Sequence, residues 1–250
     1  KMSKSLGGSL FIKDGEKYDY CYKEAIKCLK EFCDKVAIVE VGSDDGTEKY
    51  VHQFADHKTK VISLPISLWE ATDFYAKEKL SYFSNIAHSL LDTDYFLNLQ
   101  GDEIVHENSY DAIRYAIETG HEGFLCTRVN LWGDCFHQLN VPQERKPCSS
   151  EVIRIAKKGY GSYDDAESLN VQCSVDFVHD IKMVHYGFVR KKEIMPKKVR
   201  NMLGNIFQIG IDPKLDGMEI WDGSKWFTGE DLAPFNDHPA IMSEWIKTRP

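Results

Sequence analysis

The stretch Val36-Ala37-Ile38-Val39-Glu40-Val41-Gly42-Ser43-Asp44-Asp45-Gly46-Thr47 decides how the rest of the chain reads. Residues 36–41 are nearly all apolar, rich in β-branched types, and stop at a glycine. An unbroken run of that kind is the pattern of a strand covered on both faces. Strands covered on both faces belong to parallel sheets clothed by helices, so helical segments are expected on either side. Upstream, Tyr22, Ala25, Ile26, Leu29, Phe32 and Cys33 recur at helical spacing, behind a short strand at residues 9–12 that ends in Lys13-Asp14-Gly15.

Downstream the alternation repeats. A strand is expected at 61–64, then a helix through Leu80, Phe83, Ile86, Ala87, Leu90 and Leu91, then a strand at 95–99. A shorter helix with Tyr110, Ile113, Ala116 and Ile117 leads to a strand at 124–129. Strands trading places with helices predict an α/β fold, a Rossmann-like three-layer arrangement with a mostly parallel central sheet and right-handed crossovers. Residues 130–150 turn irregular and read as a long functional loop. Strand-like pieces at 151–156, 171–178 and 183–186 either extend the sheet or form a smaller antiparallel one, ahead of a basic helix and a tail rich in Trp, Asp and Pro. With no internal repeat, a single domain over 1–250 is expected, about 9–129 forming one half and about 130–250 the other.

The 250 residues, 42% hydrophobic and 12% aromatic, suffice for a large core, which excludes a disordered chain. A net charge of −8 argues against polyanionic partners. One run opposes it: residues 190–200, RKKEIMPKKVR, carry six basic side chains against one acid, which suits either phosphate or a solvated helix face. The seven cysteines contain no CxxC pair, so they read as reduced thiols and exclude a disulfide scaffold or zinc ribbon. With no apolar run of bilayer length and no signal pattern, a soluble, cytoplasmic protein is expected.

In open α/β sheets ligands gather beyond the carboxyl ends of the strands. Two such loops are acidic: residues 40–47, and Gln100-Gly101-Asp102-Glu103 after the strand at 95–99. Each alone suits a turn and a helix cap. Together they converge on one crevice, where uncompensated negative charge is costly unless a cation or a donor-rich ligand offsets it.

On these residues the chain resembles the family 2 glycosyltransferases of the GT-A fold, in particular a branch carrying a QxDE motif. The elements that carry the resemblance run in order: Phe11-Ile12-Lys13, residues 41–47, Asn85-Ile86-Ala87, LNLQGDEIVHE (97–107), EVIRI (151–155), Asp165-Ala166, VHYGFVR (184–190) and His238-Pro239.

The resemblance implies transfer of a sugar from a nucleoside-diphosphate donor, UDP being favoured, to an acceptor hydroxyl, with inversion by single displacement. It implies a divalent metal held by Asp102, with Gln100 standing where the motif's first Asp is usual, and with Glu103 or water completing the shell. His185 falls where a late histidine ligand is expected; imidazole with carboxylate suits Mn²⁺ better than Mg²⁺. A general base is implied at Asp165, with neighbouring Asp164 as its rival. Nucleotide contacts are implied for Glu40, Asp45, Asn85 and Lys79, and diphosphate contacts for Arg190 and Lys198. Trp132, Trp221 and Trp226 are candidates to stack on a sugar or acceptor, or to pack as core or lid. The acceptor stays open: glycan first, then protein, small molecule or modified DNA base. Two rival readings stay open as well, a sugar-nucleotide-forming nucleotidyltransferase and a non-catalytic nucleotide-sugar-binding module.

Overall fold

The computed structural model describes residues 3–71 and 77–250. Strand β1 (Leu6–Ile12) leads into helix α1 (Tyr22–Phe32), β2 (Lys35–Val41), α2 (Thr47–His52), β3 (Thr59–Leu64), α3 (Ile66–Glu70), α4 (Glu78–Ser89) and β4 (Tyr95–Leu99). β1, β2, β3 and β4 pair in parallel in the order β3-β2-β1-β4. The run that opened the sequence reading is β2, and its pleat serves both faces. Val36 and Ile38 pack in one apolar cluster with Ala25, Ile26 and Leu29 of α1; Val39 and Val41 pack in another with Phe83 and Ala87 of α4. Each fully buried aliphatic side chain in such a layer contributes about 1.5–3 kcal/mol relative to exposure. The expected α/β class, helical layers and mostly parallel sheet are therefore observed.

The second half departs from a simple continuation. After β5 (Glu103–Val105), α5 (Tyr110–Thr119) and β6 (Gly123–Trp132), the short β7 (His137–Leu139) and then β8 (Glu151–Lys157) follow. β6 does not neighbour β4. β8 lies between them, antiparallel to both. Residues 175–178 and 183–186 of the expected pieces lie in one strand, β9 (Val175–Phe188), which pairs in parallel with β6 and antiparallel with β5, whereas residues 171–174 precede it outside any strand. β7 and β10 (Leu232–Pro234) add a small antiparallel extension to β6. Two register shifts along the β6–β9 ladder explain why its sequence reads as two fragments, since a bulge interrupts the period-2 alternation.

The basic run also resolves. Only Met195–Asn201 is helical (α6), with Pro196 in its first turn where a missing N–H costs nothing. Arg190 and Lys198 are buried, and Arg200 donates to the carbonyls of Leu215 and Met218, tying down the tail. The run is therefore neither a free anion patch nor a wholly solvated face. A last helical turn, α7 (Ser243–Ile246), closes the described chain, and no helix among the described residues is long and apolar enough to cross a membrane.

Candidate active site

β9 assembles the site because it sits between β5 and β6. Its register sets His185 directly across from Glu103 on one side and from Asn130 on the other. The Tyr186 amide donates to the Asp102 carbonyl at 2.8 Å, which brings the turn after β4 against the end of β9. Asp102 and His185 thus meet at the carboxyl end of the parallel sheet, where open α/β folds hold their ligands.

The two oxygens of Asp102 have different surroundings. Oδ2 accepts from Arg190 Nη2 at 2.8 Å and Lys198 Nζ at 3.4 Å, whereas Oδ1 faces His185 Nε2 at 3.7 Å. Burial alone would raise the Asp102 carboxyl, but the charges of Lys198 and Arg190 hold it below the usual carboxylate range. Burial takes the His185 imidazole down to about 4, so the ring is neutral at neutral pH.

Its tautomer follows from its neighbours. Asn130 Nδ2 donates to the carbonyls of Ser149 (3.1 Å) and Cys148 (3.4 Å), which turns Asn130 Oδ1 toward His185 Nδ1 at 2.8 Å. Nδ1 therefore carries the proton, and Nε2 presents a bare lone pair to a carboxylate oxygen. Two acceptors facing each other in a buried place are unfavourable unless a donor or a cation comes between them. Gly187 keeps the space beside the ring open, since a β-carbon there would lie 2.3 Å from His185 Nε2. Among the described residues no group of three or more His, Cys, Asp or Glu side chains is arranged to hold a metal ion.

These groups open onto a cleft of about 600 Å³. Gln100, Asp102, Asp165, His185 and Lys198 line it. Glu40, Asp45, Lys79, Asn85, Glu103, Asp164 and Arg190 do not, and each has a partner elsewhere. Glu40 Oε1 accepts the Ser43 amide, and Asp45 accepts from the Thr47 amide and hydroxyl and the Lys17 amide. Lys79 donates to the Trp69 carbonyl, and Asn85 pairs reciprocally with the backbone of Ser162. Both oxygens of Glu103, expected to help complete a metal shell, are occupied: Oε1 by Arg128 (3.0 Å) and Arg154 (2.6 Å), Oε2 by the Gln100 amide (3.1 Å). Arg190 Nη1 also donates to the carbonyls of Tyr186 and Val189.

The two aspartates expected as rivals are separated. Asp164 pairs with Lys77 at 2.7 Å on the surface. Asp165 lines the cleft, and its carboxyl is raised above the ordinary value, first by burial and then by the charges of Glu167 and Asp164. Lys198 is pushed down to about 8 by burial and by neighbouring Arg190.

Trp132, Trp221 and Trp226 also line the cleft, packed on one another: Trp221 stacks on Trp226 at 4.9 Å, and Trp132 lies 5.9 Å from Trp221. They act as wall and packing at once. Sequence reasoning overlooked Asp14, Tyr20, Trp69 and Arg128, which line the same cleft. Asp14 follows β1 at its carboxyl end, and an arginine inside the otherwise apolar β6 is itself a signal; those two were discoverable by the strand-end rule and by burial cost.

No family model matches the chain, and no curated protein matches it. Among solved structures it is similar to S. aureus TarS in complex with UDP-GlcNAc, at 13% identity over 84% of this chain and 68% of that one, with a TM-score of 0.47. It is also similar to a putative glucose-1-phosphate thymidylyltransferase from Bacillus anthracis in complex with a sucrose, at 10% identity over 85% and 99% of the two chains, with a TM-score of 0.44.

Proposed function

We propose that this chain is an inverting, metal-dependent glycosyltransferase of the GT-A type that moves a sugar from a nucleoside diphosphate, UDP for preference, to an acceptor hydroxyl. The observation that carries the reading is the bare Nε2 of His185 set 3.7 Å from Asp102 Oδ1 in a cleft that also holds a carboxylate of raised pKa. In this reading Asp102 and His185 hold a divalent cation, Mn²⁺ for preference, and Glu103 braces the motif from within. When bound, that ion supplies positive charge against the negative charge that develops on the leaving diphosphate.

The chain's own residues carry the remaining roles. Asp165 accepts the proton of the acceptor hydroxyl as its oxygen bonds to the anomeric carbon and the bond from that carbon to the diphosphate breaks. Lys198, at the cleft wall, adds positive charge for the diphosphate, and Arg190 holds Asp102 in place. Glu40, Asp45, Asn85 and Lys79 act on the nucleotide indirectly, by shaping the loops that flank the cleft. The test is a thermal-shift screen of nucleoside diphosphates and their sugars with and without Mn²⁺. A ligand at 100 times its Kd stabilises the folded state by about 2.7 kcal/mol. The reading predicts metal-dependent stabilisation by at least one nucleoside diphosphate; stabilisation by none of them contradicts it.

A further inference from the structure

Gln100 stands where an acid is usual in the motif, and its amide has a specific use. Gln100 Nε2 donates to the Ala166 carbonyl at 3.3 Å, and the same carbonyl accepts from Arg154 Nη1 at 2.9 Å. A carbonyl only accepts, so that partner fixes the amide's orientation. Arg154 in turn bonds Glu103 Oε1 at 2.6 Å, and Glu103 Oε2 accepts the backbone amide of Gln100 at 3.1 Å. The circuit closes on itself. A second branch runs from Glu103 through Arg128 to Glu167, which also accepts the Ser149 amide at 2.7 Å.

The loop held this way is strained. Asp164 and Ala166 have φ of 51° and 60°, flanking Asp165 on both sides. For alanine in particular the left-handed region is unfavourable and persists only where the surroundings over-determine it. Here the surroundings are two donors on the Ala166 carbonyl, the Ala166 amide bonded to the Tyr163 carbonyl at 3.0 Å, and the Glu167 amide bonded to Asp165 Oδ1 at 3.1 Å. A carboxylate at position 100 has no hydrogen to give to that carbonyl, and it would add negative charge beside Asp102 and Glu103.

We propose that Gln100 is a positioning residue that braces the Asp165 loop against the Asp102 motif, fixing the distance between the acceptor side of the cleft and the donor side. The catalytic consequence rests on Asp165 being the general base; the brace itself does not.

The experiment combines amide hydrogen exchange with kinetics on Gln100→Leu and on the isosteric Gln100→Glu, which guards against a folding defect peculiar to either change. Both variants should speed exchange at the Ala166 and Glu167 amides by ~10-fold or more, since local opening governs exchange at such sites. In Gln100→Leu, binding of UDP with Mn²⁺ should stay within about threefold of the native value, and UDP release from UDP-hexoses should lose ~10-fold or more in kcat with little change in donor KM. Native exchange rates at both amides in both variants overturn the brace. Faster exchange together with undiminished UDP release in Asp165→Asn keeps the brace and removes Asp165 as base, so the two failures are told apart.

Discussion

Asp164 and Asp165 are adjacent in sequence and of one chemical type, yet the structure gives them opposite surroundings. Asp164 pairs with Lys77 at the surface, while Asp165 is half-buried in the cleft with its carboxyl raised. Asp165→Asn should therefore lower turnover by about 10²–10⁴, the usual worth of a positioned base, whereas Asp164→Asn should change it by no more than a few-fold. Because a base works only when ionised, activity should fall as the pH drops through the Asp165 pKa, and that acid limb should lie above the ordinary aspartate value of 3.8; a pH–rate profile reads it. Glu103 gives the matching stability prediction. It carries the charge of two arginines inside the protein, so Glu103→Gln leaves an uncompensated buried cation and should cost about 3–5 kcal/mol in chemical denaturation.

At the scale of elements, the acidic loop after β2 shows how a turn and a site look alike in sequence. Asp45 accepts the Thr47 amide at the start of α2 and the Lys17 amide from the loop after β1. Burial raises its carboxyl, but those hydrogen bonds outweigh burial and the net shift is downward. A folded pKa below the unfolded one means that the charged form stabilises the fold above about pH 3.8, and that this stabilisation disappears as pH falls through the folded pKa. Asp45→Ala should cost about 1 kcal/mol at neutral pH through its lost hydrogen bonds, with the gap from the native protein narrowing below pH 4 in urea titrations. The strand signals of β2 and β4 were legible because both faces of each are covered, and nearly continuous apolar runs follow from that. β9 was not legible as one strand, because its bulges and its polar segment 175–182 break the alternation. The placement of β8 between β4 and β6 depends on long-range pairing, which no local pattern encodes.

For the whole molecule, the sheet does the work of convergence. Residues 102, 165 and 185 come from three separate stretches and reach one cleft because β4 and β9 end on the same side, and the chain after antiparallel β8 folds back along that strand to bring Asp165 there. Asp102, Asp165 and His185, expected from strand ends and resemblance, line one cleft, whereas Glu40, Asn85 and Arg190, expected as ligand contacts, do not line it and hydrogen-bond within the protein. The reason is physical: a polar side chain near a strand end has the same sequence signature whether it meets a ligand or satisfies a backbone amide. Tyr20 reaches the cleft from a loop and Trp69 from the short helix α3, whose placements only the folded chain defines. The central claim is that Asp102 and His185 share one cation. Calorimetric titration of Mn²⁺ in the presence of UDP tests it most directly. The account predicts one Mn²⁺ per chain in the native protein, with affinity reduced at least ~10-fold in both Asp102→Asn and His185→Ala, as loss of a ligand requires. Unchanged Mn²⁺ affinity in either variant would contradict it.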